Sequence, residues 1–373
     1  MRRQIRIFAG SSEAGGAECL HPVILRLRQN HYHVYVIAGD NANHVFQNRG
    51  FSPDKKANHT ECAQLTREVI DQFKPDAILS GILGSKDNID YSLIRLAHER
   101  QIPVLSILDS WMNYGDRVFD PVTGKRNGLL PTRIAVMDAF ALKEMTAEGI
   151  PPEACVITGH PKFDTLQAVL DRRQNSVEKK SVLSRFDLSS DQPIIVFYSQ
   201  PLSKYYPSKY FGYDEQDAID LLFTAFERIH KAVSATLIFK EHPRYPSLSG
   251  TVKAPQHNFI YETAADSDDL LVIADVIVSM SSTMLVFAAA LGIPIINLQP
   301  NLRRDRDPNI MTRSGYCNPV TSLEVLCQEF HRLLFAADSS SLSQVPSWLN
   351  ADGKVSERIE NLLNNLIGER DLL

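Results

Sequence analysis

The segment Val278–Pro300, VSMSSTMLVFAAALGIPIINLQP, leaves this chain few architectures to adopt. It follows Asp275-Val276-Ile277-Val278, a β-branched run of the kind that forms a strand buried on both faces. Ser279 to Thr283 supplies small hydroxyl residues where a helix begins, and Met284 to Leu291 is an almost wholly apolar helix. Gly292 suits the left-handed position just past a helix end, Pro294 cannot extend a helix, and Ile295 to Leu298 reads as the next strand. Strand, turn, buried helix and strand make one βαβ unit of a parallel sheet. A turn that opens a helix leaves backbone N–H groups unpaired, so Ser281, Ser282 and Thr283 are expected to bind an anion, a phosphate above all.

The same alternation runs along most of the 373 residues. Strands are expected at 4–10, 33–39, 76–81, 102–108, 131–138 and 154–159, with helices between them. After a polar, charged stretch at 171–191, strands recur at 193–198, 236–240, 258–261, 275–278 and 295–298. The expectation is an α/β chain of two Rossmann-like, doubly wound domains facing a central cleft. Residues 1–170 form the first domain, 171–191 a linker and 192–373 the second, with the last helix free to pack back on the first. A net charge of −5 argues against a general nucleic-acid binder. The five cysteines are scattered without CxxC spacing, which points to reduced thiols in a cytoplasmic protein and no structural zinc. The basic then apolar start is too short for a signal peptide, and Gly292, Pro294 and Asn297 interrupt the greasiest stretch, so no membrane span is expected.

Four groups end strands on the expected cleft side. The first is SSEAGG, with Ser11, Glu13, Gly15 and Gly16; these glycines either let the chain turn or let backbone N–H groups line the cleft. The loop lacks GxGxxG and the P-loop lysine. The second is LDSWMNYGDR, where Asp109 is a candidate general base beside Trp111, Asn113, Tyr114 and Arg117. A helix cap or an ion pair with Arg117 is the competing reading of Asp109. The third is KEHPR, with His242 as a candidate catalytic group and Lys240 and Arg244 as cations for phosphate. The serine turn is the fourth. His160 is read as shaping the junction between domains. Neither HExxH nor GxSxG occurs, and the acid pairs Asp266/Asp268 and Asp305/Asp307 read as a helix cap and an arginine-flanked loop, so no metal is expected.

Taken together, IPVLSILDSW, LPTRIAVMDAFALKEMTAEGIPPEACVITGHPKFDTL, KEHPR and SMSST resemble the GT-B type of two-domain protein. The likeness is to the non-hydrolysing UDP-N-acetylglucosamine 2-epimerases and related polysaccharide glycosyltransferases. The SST turn and the HP pair are also similar to CDP-glycerol glycerophosphotransferases of teichoic-acid synthesis. The resemblance maps the family's active-site histidine onto His242 and its diphosphate turn onto Ser281, Ser282 and Thr283. It departs where the epimerases carry a glutamate pair behind that turn, since this chain has Val286 and Phe287, and where their acidic loop has Glu, since this chain has Asp109. The resemblance implies a metal-independent transferase with no cofactor, a UDP- or CDP-linked donor on the second domain, and an acceptor hydroxyl on the first. The acceptor is unknown. Lipid linkage would bring the protein to the inner face of the membrane, and the state of association is left between monomer and homodimer. A sugar-nucleotide 2-epimerase and a catalytically silent GT-B binding protein are the alternatives.

Overall fold

The computed structural model describes residues 3–82, 88–125, 128–189, 191–230, 234–242, 245, 254–335 and 345–370. The chain divides into two compact units, residues 1–165 with 347–373, and residues 166–346.

In unit 1 the order is β1 (Arg6–Ser11), α1 (Ala14–Gln29), β2 (His33–Ala38), α2 (Asp40–Asn48), β3 (Lys55–Lys56), α3 (Cys62–Phe73), β4 (Ala77–Ser80), α4 (Ile89–Arg100), β5 (Val104–Ile107), α5 (Tyr114–Arg117), β6 (Arg133–Val136), α6 (Ala139–Ala147) and β7 (Cys155–Ile157). α7 (Phe163–Gln174) carries the chain onward to α8 (Ser176–Ser184), β8 (Ile194–Tyr198), α9 (Leu202–Tyr205), α10 (Glu215–His230), β9 (Thr236–Lys240), β10 (Phe259–Glu262), α11 (Ser267–Ile273), β11 (Val276–Ser279), α12 (Met284–Ala290), β12 (Ile295–Asn297), α13 (Ile310–Arg313) and α14 (Leu323–Phe335). The last helix, α15 (Val355–Arg370), returns to unit 1, where Glu360 accepts from Arg26 at 2.6 Å and from Asn30 at 2.8 Å.

Every strand pair is parallel. The seven-stranded sheet of unit 1 has the order β3-β2-β1-β4-β5-β6-β7, and the five-stranded sheet of unit 2 the order β10-β9-β8-β11-β12. Both are doubly wound, so each has a switch point where the winding reverses, between β1 and β4 and between β8 and β11. Loops diverge there at the strands' carboxyl ends and leave a crevice. Apart from Arg6 at the head of β1, the central strands are buried along their whole length, as both faces covered by helices require.

The βαβ unit expected at 275–298 forms as β11, α12 and β12. Gly292 lies at φ +70° just beyond α12, and Ile293 N–H donates to Ala288 O at 2.9 Å. One local expectation changes, at the start of α1, while 171–191 is the stretch expected as part helix and part linker. Residues 171–191 hold the end of α7 and all of α8, whose N-cap Asn175 accepts from the N–H groups of Val177 and Glu178. α1 begins at Ala14, five residues before the apolar spacing starts at Cys19, and contains both Gly15 and Gly16.

Candidate functional site

In unit 1, Asp109 follows β5 and pairs with Arg117 of α5, Nη1 to Oδ1 at 2.5 Å. Its Oδ2 lies against Gly15: a Cβ built there would sit 2.1 Å from that oxygen. A Cβ on Gly16 would sit 2.2 Å from Ser11 Oγ. The two glycines are therefore helical residues that make room for neighbouring polar atoms, and neither has a positive φ. Glu13 is the N-cap residue of α1 without a side-chain cap bond, and Ser11 Oγ accepts from its N–H at 3.3 Å.

The aromatic members of this group are buried. Trp111 donates from Nε1 to Asp138 Oδ2 at 2.6 Å and stacks on His160 with ring centroids 5.5 Å apart. Tyr114 donates to Glu144 at 2.8 Å, while Asn113 stays exposed in a left-handed conformation at φ +57°. Asp138 also caps α6 by accepting from Ala141 N–H, and burial raises its pKa. Burial lowers the His160 ring to about 4. Its Nδ1 accepts from Lys162 N–H at 3.1 Å, so the ring proton sits on Nε2, 3.3 Å from the Asp109 carbonyl oxygen it serves. His160 and Trp111 thus hold the backbone from which Asp109 projects.

The switch point of unit 1 contains a carboxyl that sequence reading missed. Asp90, in the first turn of α4, is 1 % exposed. Its Oδ1 accepts from Ser11 Oγ at 3.1 Å and its Oδ2 from Ser12 N–H at 2.9 Å. Burial pushes it up to about 7, against the pull of these hydrogen bonds.

In unit 2, the β9 end places Lys240, Glu241 and His242 in succession. Lys240 is buried, its Nζ donates to Thr263 O at 2.5 Å, and burial lowers its pKa. Glu241 accepts from His242 N–H at 2.9 Å and from the Tyr261 hydroxyl at 3.1 Å. His242 Nδ1 accepts from Tyr245 N–H at 3.3 Å, and the two rings lie within 6° of parallel. Lys204 Nζ stands 5.0 Å from the Tyr245 ring centre. Arg244 lies outside the described residues.

The serine turn follows β11, on the opposite side of β8 from β9. Ser281 N–H donates to Gln200 Oε1 at 2.9 Å and Ser281 Oγ donates to the same oxygen. Ser282 Oγ accepts from Met284 N–H at 3.2 Å. The N–H groups of Ser282 and Thr283 and the Nε2 of Gln200 have no acceptor among the described residues. Gln200 follows β8, so the Gln200–Ser281 pair spans the switch point of unit 2. Behind the turn Val286 and Phe287 are buried.

The acid pairs are engaged by protein donors. Asp266 caps α11 through Asp268 N–H at 2.7 Å. Asp307 accepts from Gln299 Nε2 at 2.8 Å, Asn309 N–H at 2.9 Å and Thr312 Oγ1 at 2.5 Å. Asp305 sits beside Arg303 and Arg306. Among the described residues no group of three or more histidine, cysteine or acidic side chains is placed to hold a metal ion, and no helix is long and apolar enough to cross a membrane.

No protein-family model and no curated protein sequence matches the chain. Solved structures do. A UDP-GlcNAc 2-epimerase from Neisseria meningitidis bound to UDP-GlcNAc aligns with TM-score 0.73 and 17% identity, over 97% of this chain and 100% of that one. The S. aureus MnaA–UDP structure aligns with TM-score 0.68 and 16% identity, over 98% and 97%. The wall teichoic acid polymerase TagF aligns with TM-score 0.62 and 12% identity, over 99% and 90%. What this chain has in common with them is the fold, two doubly wound α/β units of the GT-B type, as the resemblance of its sequence implied.

Proposed function

We propose that the protein is a GT-B-type transferase that moves a sugar or related group from a nucleotide-activated donor to an acceptor hydroxyl. Unit 2 takes the donor and unit 1 supplies the base. One observation carries this reading: the switch point of unit 2 keeps unspent hydrogen-bond donors, the Nε2 of Gln200 and the N–H groups of Ser282 and Thr283, at a strand edge where α/β sheets bind ligands. The solved structures of the same fold that hold UDP-GlcNAc or UDP support it by analogy.

In the transfer of a sugar, the acceptor oxygen bonds to the donor's anomeric carbon as that carbon's bond to the departing diphosphate breaks. The acceptor proton goes to Asp109 Oδ2, the oxygen not engaged by Arg117, and the electron pair leaves on the nucleoside diphosphate. The Ser282–Thr283 turn meets that charge, and His242 at the β9 end is the candidate for a further contact. Arg117 and the His160–Trp111 stack hold Asp109 in place. Lys240, committed to Thr263 O, supports the β9 end rather than touching phosphate.

The test is calorimetric titration with UDP, CDP, GDP and ADP. Binding of at least one is expected, and silence with all four removes the reading. Donor turnover is expected to fall by about 100-fold or more in Asp109→Asn, within the range for loss of a general base; full activity in that variant removes Asp109 from the role. An epimerase is the second reading, favoured by the fold match to the Neisseria enzyme. Interconversion of UDP-N-acetylglucosamine in the absence of any acceptor decides for it.

A further inference from the structure

The side chain of Gln200 has one feature that the phosphate-turn reading does not use. Its Oε1 receives both hydrogens that Ser281 can give, from the backbone N–H at 2.9 Å and from Oγ. A backbone N–H can only donate, so the amide atom facing it must be the oxygen, and the orientation of the carboxamide is fixed by chemistry. Nε2, with two hydrogens, points away from Ser281 and has no partner among the described residues. Ser281 has correspondingly spent both of its donors. An oxygen whose proton is committed elsewhere offers an anion only lone pairs, and those repel phosphate.

We propose that Gln200, and not Ser281, is the side chain that donates to the diphosphate at the switch point of unit 2, with Ser281 as the strut that holds the amide in position. The assignment rests on the reading of unit 2 as the donor side and names the residue that recognises the ligand there. The pair joins the β8 loop to the β11 loop, residues 81 positions apart in the chain, so one hydrogen-bonded bridge sets both the turn and the donor presented across it. The ligand class, an oxyanion carried by a diphosphate, comes from the donor-side reading, to which the amide adds an uncharged donor of fixed direction.

Glutamate at this position separates the two roles. In Gln200→Glu one carboxylate oxygen still accepts from Ser281, while the other replaces the NH2 donor with a negatively charged acceptor. Calorimetry with inorganic pyrophosphate and with the nucleoside diphosphate that binds wild type best reads the effect. Affinity is expected to fall between about 10- and 100-fold in Gln200→Glu, the span for losing a hydrogen bond to a charged group. Gln200→Ala, which removes the donor without adding charge, should lose less, and Ser281→Ala less than Gln200→Glu. Circular dichroism of each variant reports whether the fold is retained. Wild-type affinity in Gln200→Glu, or a larger loss in Ser281→Ala than in Gln200→Glu, overturns the assignment while the donor-side reading stands. A wild-type protein that takes neither pyrophosphate nor any nucleoside diphosphate removes the donor-side reading itself, and the Gln200 assignment with it.

Discussion

Replacing Asp90 by asparagine should stabilise the protein at neutral and alkaline pH, although it removes a buried residue's charge and two charge-assisted hydrogen bonds. The buried carboxyl has its pKa raised from 3.8 to about 7, mainly because burial penalises the ionised form, with Glu13 adding like-charge repulsion. Between those values the folded state binds more protons at this site than the unfolded state does. Stability is therefore greatest at the acidic end of the window and falls as pH rises through it. A shift of about 3 pKa units corresponds to roughly 4 kcal/mol of penalty once the carboxyl is fully ionised. Asparagine copies the neutral acid: its oxygen can accept from Ser12 N–H and its NH2 can donate to Ser11 Oγ, the two atoms that Asp90 meets now. The stability gap in favour of Asp90→Asn should widen by about 1.4 kcal/mol per pH unit from 4 to 7 and stay flat above, so it grows by roughly 3 kcal/mol from pH 5 to pH 8. The chain's two tryptophans, Trp111 and Trp348, both belong to unit 1, so urea titrations followed by tryptophan fluorescence report the unit that holds Asp90. A gap that is constant with pH, or one that closes as pH rises, would refute the assignment of a burial-raised carboxyl.

Three further outcomes follow from the geometry. Gly15→Ala should destabilise unit 1 by about 1–3 kcal/mol, because the new Cβ would meet Asp109 Oδ2 at 2.1 Å and the carboxylate is held by Arg117; this outweighs the gain of up to about 1 kcal/mol that alanine brings to an open helix. The same fluorescence titration measures it. Asp138→Ala should cost about 2–4 kcal/mol by the same assay, since it removes the cap of α6 and the carboxylate that accepts from the buried Trp111 N–H. Asp307→Asn should loosen the loop after β12, because its oxygen can keep the donors from Gln299 and Asn309 while its NH2 faces the Thr312 hydroxyl that now donates to Oδ2; a loss of about 1 kcal/mol in hydrogen-exchange protection over α13 is expected.

Much of the fold could be read along the chain because it rests on local patterns. Runs such as Ile194–Tyr198 and Val276–Val278 carry β-branched and apolar side chains without interruption, as strands buried on both faces must. α2 leaves little trace in the sequence because only Ala42 and Phe46 of its nine residues are buried, too few to mark a period. The start of α1 was hidden for a different reason. Gly15 and Gly16 look like turn residues in one dimension, and only the approach of Asp109 and Ser11 in three dimensions explains them. The site residues that escaped notice all depend on distant partners. Asp90 in IDYSLIRL reads as an ordinary acid near a helix start until β1 and β4 bring Ser11 and Ser12 against it. Gln200 belongs to no motif, and the serine it pins is 81 residues away. Trp111 stands beside the candidate base in the sequence, yet its place is set by Asp138 and His160, 27 and 49 residues further on, which no spacing rule anticipates.

The two switch points differ in the hydrogen-bond donors they leave for an anion. Both sheets wind in the same order, so topology alone gives each unit a crevice at the same place. In unit 1 that crevice is filled from within: Ser11, Ser12 and Asp90 are all buried and bonded to one another, and the acid adds negative charge as pH rises past 7. An incoming phosphate there would displace satisfied bonds and meet a carboxylate beside it. In unit 2 the corresponding bridge is a neutral amide that leaves two hydrogens unspent, and the turn residues Ser281 to Thr283 remain partly exposed. The helix behind that turn cannot supply the acid that the epimerase resemblance would place on it. Val286 and Phe287 are in the core, and a carboxylate at either position would be desolvated without a partner. On the proposed function, α12 therefore brings no carboxylate to the nucleotide, and its remaining contacts fall to the loops after β8, β9 and β12.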